Sequence, residues 1–336
     1  MTLRDSTKAR GSPPAPGAAL LLAMLILVLV ATMASGMVWI QFRGIEVEQA
    51  ERVRAQGEWL LNGAIDWSRL ILREDARGPN VDYIGEPWSI PLAETRLSTF
   101  LAGANADTTS VQADTGPDAF LSGQITDAAG LYNLQILMQT TVTRANQQQF
   151  ERLCVSIGVP VEVADQIAAG LADSSSAIDD ADEDDPTSKA PANTILEPGR
   201  VAELAWYGVD PKWVKMLEPF VDVLPQVMPV NANTAPAEVL MAMVPGLNRG
   251  DAQRMIAMRQ SQPFTKSTDI TAALPPALAA SAATSSNYNL AWSSSFFEVL
   301  GQLRYEQHII RERTLVQRVG LNTIIIRRVR LSPVDS

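Results

Sequence analysis

The chain has 336 residues and a formal net charge of −10, with 27 lysines and arginines against 37 aspartates and glutamates. That balance argues against nucleic acid or anionic lipid as the main partner, since both need clustered positive charge. A single cysteine, Cys154, excludes an internal disulfide, and a single histidine, His308, excludes a zinc cluster built on histidine pairs.

Residues 1–17 hold Arg4, Lys8 and Arg10 against Asp5 and end in Gly17. An uncharged, mostly apolar run of 23 residues follows, from Ala18 to Ile40. At about 1.5 Å of rise per residue it is long enough to cross a hydrocarbon core of roughly 30 Å. A secretory signal has a shorter apolar region, about 7–15 residues, closed by a small-residue cleavage site. No such site closes this run, so the expectation is an anchor. The basic leader places the N-terminus in the cytoplasm and the rest outside it.

No proline interrupts Gln41 to Arg73, and Leu60, Ala64, Trp67 and Ile71 repeat at the spacing of one helix face. The pattern predicts that the anchor continues as an amphipathic helix, ended by Gly78-Pro79. Trp88 to Ile90 is expected as a short strand and Leu97 to Leu101 as a helical turn. Leu121 to Asp127 is expected as a strand leading into a turn, with Asp127 and Gly130 supplying turn chemistry. Short helices are expected at 150–155, 161–171, 201–207, 211–220, 236–243 and 251–260, with a loop from Asp173 to Asp185. Many short helices cut by proline and glycine indicate a globular helical domain. A Pro/Ala/Ser-rich bridge covers 274–286. Alternation then predicts strands at 297–306, 308–319 and 321–330, turned at Gly320. Seven arginines stand against two glutamates in 301–330, which reads as charge shielding exposed sheet edges.

Several of these features together resemble the minor pseudopilins of type II secretion, specifically the large K member (GspK family). They are the leader ending in Gly17 before the apolar run, Gly123-Gln124-Ile125-Thr126-Asp127 with Gly130-Leu131-Tyr132-Asn133-Leu134, Val230-Asn231-Ala232-Asn233-Thr234-Ala235-Pro236 running to Phe264, and Ser294 to Val299. The resemblance implies cleavage by a prepilin peptidase between Gly17 and Ala18, leaving Ala18 as a methylated N-terminus. Ala18 stands where phenylalanine or methionine is more usual. Most pilin-like proteins carry glutamate at the fifth mature position; here that residue is Leu22, an absence typical of the K member. A carboxylate in a bilayer is costly unless paired, and a subunit with neighbours only below it needs none to attract another above.

The implied fold is α+β: a pilin-like long N-terminal helix and antiparallel sheet, interrupted by a large all-helical insertion. Expected divisions are a leader at 1–17, a transmembrane half-helix at 18–40, and a periplasmic helix with the first part of the core at 41–134. The inserted helical domain would cover 135–286, and C-terminal strands completing the sheet 287–336. Implied partners are the I and J minor pseudopilins, the major pseudopilin and the prepilin peptidase, at the inner membrane of a bacterium. The function implied is capping of the pseudopilus tip and initiation of its assembly.

Two stretches invite other chemistry. Residues 231–264 have the form of a helix-hairpin-helix (SAM-like) unit, which in DNA-binding relatives offers backbone N–H groups to phosphate. The alternative function is therefore a membrane-tethered DNA-binding protein, for which Arg249 and Arg254 are the natural contacts. Residues 231–270 are nearly neutral, which favours structural use of the motif. The acidic stretch holds Asp173, Asp179, Asp180, Asp182, Glu183, Asp184 and Asp185. It reads either as a solvated loop or as a Ca²⁺ site, an ion that takes roughly 6–8 oxygen ligands. The resemblance associates calcium with this region, through Asp173, Asp179, Asp180, Asp182 and Asp184. No catalytic constellation is present, so an enzyme, such as a membrane-anchored hydrolase, is not expected. Cys154 and Trp59, Trp67, Trp206 and Trp213 read as packing residues.

Overall fold

A computed structural model describes residues 16–99, 119–139, 142–179, 196–282, 286–305 and 308–332. The chain divides into two compact units, Met1–Trp59 and Leu60–Ser336. The first contains most of helix α1 (Pro16–Asp75), whose apolar residues from Leu20 to Ile45 are all about half or more exposed. This helix is long and apolar enough to cross a membrane.

In the second unit, the last turns of α1 bury Leu61, Ile65, Ser68 and Leu72. The expected face of Leu60, Ala64, Trp67 and Ile71 is therefore rotated by one residue. Trp67 is left 37% exposed and Leu70 49%. The cause lies in the sheet, where Gly301 brings the backbone against the Leu61 side chain, at 3.3 Å from where a Cβ would stand. That recess accepts Leu61 rather than the larger Trp67.

The sheet contains β1 (Leu92–Arg96), β2 (Ala119–Asp127), β7 (Phe296–Tyr305), β8 (His308–Val319) and β9 (Asn322–Leu331) in that spatial order, every pair antiparallel. The α+β architecture is thus as expected. Period-two alternation drives it: along β7 every second residue is buried, from Phe297 through Val299, Gly301 and Leu303 to Tyr305. Gly320, at φ 58°, makes the turn into β9. Trp88 lies in a single 3-10 turn (Pro87–Ser89) rather than a strand, with its ring edge-on to Phe297 at 5.2 Å.

Apart from helical residues 97–99, the remaining described elements fall between β2 and β7. Two small parallel ladders join β3 (Tyr132–Asn133) to β4 (Val221–Asp222) and β5 (Val230–Asn231) to β6 (Leu290–Ala291). Around them pack α2 (Arg144–Ile157), α3 (Val161–Asp179), α4 (Pro211–Leu217), α5 (Ala237–Met243), α6 (Arg249–Ser261), α7 (Ser267–Ala273) and α8 (Pro276–Ala282). Thr143 caps α2 by accepting from the Asn146 N–H, and Gly158, at φ 84°, closes it in the left-handed conformation. Helix α8 occupies the stretch expected as a bridge. Helix α3 runs on through Asp173 to Asp179, which the acidic-loop reading had placed outside any helix.

Two cores result. One lies among the inserted elements, around Tyr132, Phe150, Leu153, Ile167, Leu204 and Leu240, with Cys154 fully buried in it. The other lies under the sheet, around Leu72, Trp88, Ile125, Phe297, Val299 and Val316. A small apolar group joins them: Ala128, Leu224, Phe296 and Leu315, with Met228 packed alongside.

Candidate functional site

The insertion leaves the sheet at Asp127 and returns at Phe296, and these ends are adjacent because Asp127 pairs with Phe297 across β2 and β7. This neck gathers several buried polar residues: Asp82, Glu86, Asn231, Ser294 and Arg318. Asp127 is the centre. Its Oδ1 accepts the Ala129 N–H at 2.8 Å, capping a 3-10 turn (Ala128–Gly130). Its Oδ2 accepts from Asn231 Nδ2 at 2.8 Å and from the hydroxyls of Thr234 and Ser294, each at 2.6 Å. Burial raises the pKa of Asp127, while its three side-chain donors oppose the rise. Gly130 is obligatory beside it: a Cβ there would lie 2.6 Å from Thr234 Oγ1.

Arg318, on β8, lies on the same side of the neck. Its guanidinium donates to Asp75 Oδ2 at 2.6 Å, to both oxygens of Asp82 at 2.6 and 2.7 Å, and to the Ser294 carbonyl at 3.0 Å. It also stacks 4.7 Å from the Phe297 ring centroid. Asp82 in turn accepts the Ser294 N–H at 2.7 Å, and its own carbonyl accepts from Asn231 Nδ2 at 2.9 Å. Glu86 Oε2 accepts from the Tyr83 N–H at 3.0 Å and from Trp88 Nε1 at 2.8 Å. Burial pushes the Glu86 carboxyl up to about 6 and also raises Asp75, which Arg318 opposes. Carboxylate oxygens of Asp75, Asp82 and Glu86 lie within 4.8 Å of one another, a spacing that a cation could bridge. The guanidinium already bridges two of the three.

A second ionic group lies across the apolar contact. Arg327 donates to Asp222 at 3.2 Å and to the Val223 and Gly199 carbonyls, and Arg313 lies 3.4 Å from both Glu218 and Glu298. Burial raises both Asp222 and Glu298, opposed by these arginines. The C-terminal arginines, expected to shield sheet edges, thus include three that fasten the insertion to the sheet. The sequence signal was weak, because each arginine alternates with apolar neighbours as an exposed strand residue would.

The other candidate residues separate from the neck. Residues 231–264 do form a helix-hairpin-helix: α5 and α6 flank Gly246 at φ 85°. Asn233 pins its far end by donating to the Phe264 carbonyl and accepting the Phe264 N–H. Its cations serve the motif itself. Arg249 pairs with Glu238 at 2.8 Å, Arg254 with Asp251 at 3.1 Å, and Arg259 is buried against the Ala232 and Ala235 carbonyls. That leaves little charge for a phosphate backbone, which requires several unpaired cations. Asp173 is exposed on α3; the Asp179 side chain and Asp180, Asp182 and Asp184 lie outside the described residues. Gly17 and Leu22 lie on α1, as does Ala18. His308 is exposed at the start of β8. Trp59 and Trp206, expected to pack, are 77% and 50% exposed, whereas Trp213 packs against the inserted core.

Two family models, both described as type II secretion system (T2SS), protein K, match residues 130–226 and 230–289. The type II secretion system protein K of Pseudomonas aeruginosa is 26% identical over 305 residues, covering 85% of this chain and 84% of that protein. Its counterpart from Pectobacterium carotovorum is 26% identical over 337 residues, covering 93% and 95%. The fold is similar to a chain in the crystal structure of the GspK-GspI-GspJ complex from the enterotoxigenic Escherichia coli type 2 secretion system. The TM-score is 0.60 at 17% identity, with 84% of this chain and 99% of that one covered. Both models and both relatives name one protein, and the matched segments hold the inserted helices whose return strand closes the sheet: the chain is similar to type II secretion system protein K across its insertion and over most of its length.

Proposed function

We propose that this chain is a minor pseudopilin that caps the tip of the type II secretion pseudopilus and starts its assembly with I- and J-type partners. One observation carries the reading. The insertion is rooted at the end of the sheet where α1 finishes, since Arg318 ties the last residue of α1, Asp75, to the neck. A domain of that size at the terminal end of a pilin-like helix occludes the place of a subunit above. Subunits then join from below, and the helix needs no carboxylate at Leu22 to recruit a neighbour overhead. The named complex of the structural relative supports I- and J-type partners. Chain order supports the inner membrane as the site of anchoring and the periplasm as the site of the bulk. The resemblance further carries the prepilin peptidase to the Gly17–Ala18 bond, the major pseudopilin to the growing fibre below, and Ca²⁺ to Asp173, Asp179, Asp180, Asp182 and Asp184.

The test is co-expression of the full-length chain with I- and J-type pseudopilins from the same bacterium. A ternary complex should be recovered from detergent-solubilised membranes, and the intact mass of this chain should lack residues 1–17. An uncut chain that recovers neither partner overturns the reading. For calcium, titration calorimetry on the same preparation should give heat above a buffer control, and its absence removes the metal.

A further inference from the structure

We propose that the joint between sheet and insertion is a proton-coupled latch, in which Glu86 binds a proton beside the Asp75–Arg318–Asp82 bridge, and uptake of that proton tightens the docking of the insertion. The inference stands on the fold alone and does not depend on the pseudopilus reading.

The charge count at the neck is its basis. Four carboxyl groups converge from different elements: Asp75 from α1, Asp82 and Glu86 from the loop after it, and Asp127 from β2. Among the described residues, they face a single cation, Arg318 of β8, and the neutral donors Asn231, Thr234, Ser294 and Trp88. Asp82 and Glu86 are at least nine-tenths buried, and Asp127 is partly buried. Like charges that close, held away from water, are not all ionised together.

The hydrogen bonds set Glu86 apart from its neighbours. Asp127 takes four donors and Asp82 takes three. Asp75 touches the guanidinium directly. Among the described residues no cation is paired with Glu86, and its two described donors both reach Oε2. Burial raises the Glu86 pKa in the same direction.

The coupling runs through Asp82. Its carboxylate holds the Ser294 N–H and its carbonyl holds Asn231, both belonging to the insertion. An ionised Glu86 repels Asp82 and Asp75 and loosens these bonds; a protonated one does not. The second ionic group adds the same sign, because burial raises Asp222 and Glu298 as well, with Glu218, Arg313 and Arg327 around them. If undocking returns these carboxyls to water, where they titrate at ordinary values, docking takes up protons and is favoured as pH falls towards 5.

The experiment uses the full-length chain in detergent micelles. Infrared difference spectra between pH 8 and pH 5 should show a carboxylic acid band titrating near 6, lost in Glu86→Gln. Trp88→Phe, which removes the donor to the carboxylate but retains the ring, should move the midpoint upward. Spin labels at Gln147→Cys on the insertion and His308→Cys on the sheet report the docking. Their distance distribution should be broader at pH 8 than at pH 5 in the parent, and narrow at both in Glu86→Gln. A Glu86 band titrating at the ordinary 4.5 overturns the bound proton. A distance distribution that does not respond to pH overturns the latch.

Discussion

Arg318 does what no lysine could at its position. Its planar fork meets two carboxylates and a carbonyl while its face covers Phe297, and an ammonium has no face or fork to offer. Replacing it by methionine keeps much of the packing but strands Asp75 and Asp82 without a cation. Removing one partner of a buried ion pair costs about 3–5 kcal/mol. Arg318→Met is therefore expected to lower unfolding free energy by that amount at pH 7.5, and by less at pH 5, measured by denaturant melts. Glu86→Gln has the opposite sign. With the folded pKa raised from 4.5 to about 6, the parent loses stability as pH rises through that window and has lost it fully above it. Glutamine does not ionise, so the variant should gain on the order of 1–2 kcal/mol at pH 7.5 and nothing at pH 4.5. Equal stability of parent and variant across that range contradicts the assignment. None of this was legible in the sequence. Arg318 lies 243 residues from Asp75 and 236 from Asp82, and its own strand reads as ordinary alternation.

Elements were more legible than their contacts. The three C-terminal strands, the hairpin at Gly320 and the paired helices around Gly246 follow from period-two alternation and turn chemistry, which are local. The rotated face of α1 was not local: it depends on Gly301, a recess in a strand more than two hundred residues later. The acidic stretch was misread at its start because seven carboxylates suggest a solvated loop, yet Ile167, Leu171 and Ser174 hold α3 to the core up to that point. Ser174 accepts the hydroxyl of Tyr207 at 3.1 Å, an anchor that composition does not show. The glycines give an element-scale prediction. At Gly246, with φ 85°, alanine meets only Leu278 at 3.5 Å and suffers strain from the left-handed backbone, about 1 kcal/mol. At Gly130 the added Cβ meets Thr234 at 2.6 Å, in the middle of the Asp127 network. Gly130→Ala is thus expected to lower the melting temperature several-fold more than Gly246→Ala, and it alone should accelerate proteolysis between sheet and insertion. Equal effects would show that the neck tolerates displacement of Thr234.

At the scale of the molecule, the separate cores allow the insertion to be treated as an addition to a complete sheet. Asp127 and Phe297 are already partners in the β2–β7 ladder, so the gap left by removing 128–295 is one that an inserted Asn-Gly can close, making a three-residue hairpin loop with Phe296. The sheet core around Leu72, Trp88, Val299 and Val316 would be retained, whereas Leu224 and Met228 would be lost from above Leu315. Arg318 would retain Asp75 and Asp82, while Arg327 would lose Asp222. The shortened chain is therefore expected to fold with a lower melting temperature, to remain in the membrane through α1, and still to associate with I- and J-type partners if those contacts belong to the pilin-like part. What it should lack is the bulk proposed to obstruct the tip. In cells assembling pseudopili, replacing the full chain with the shortened one should give longer fibres by electron microscopy at unchanged levels of the major subunit. Fibres of parental length, formed by a shortened chain shown to be folded and partner-bound, would assign length control to the pilin-like part and remove the insertion from the capping role.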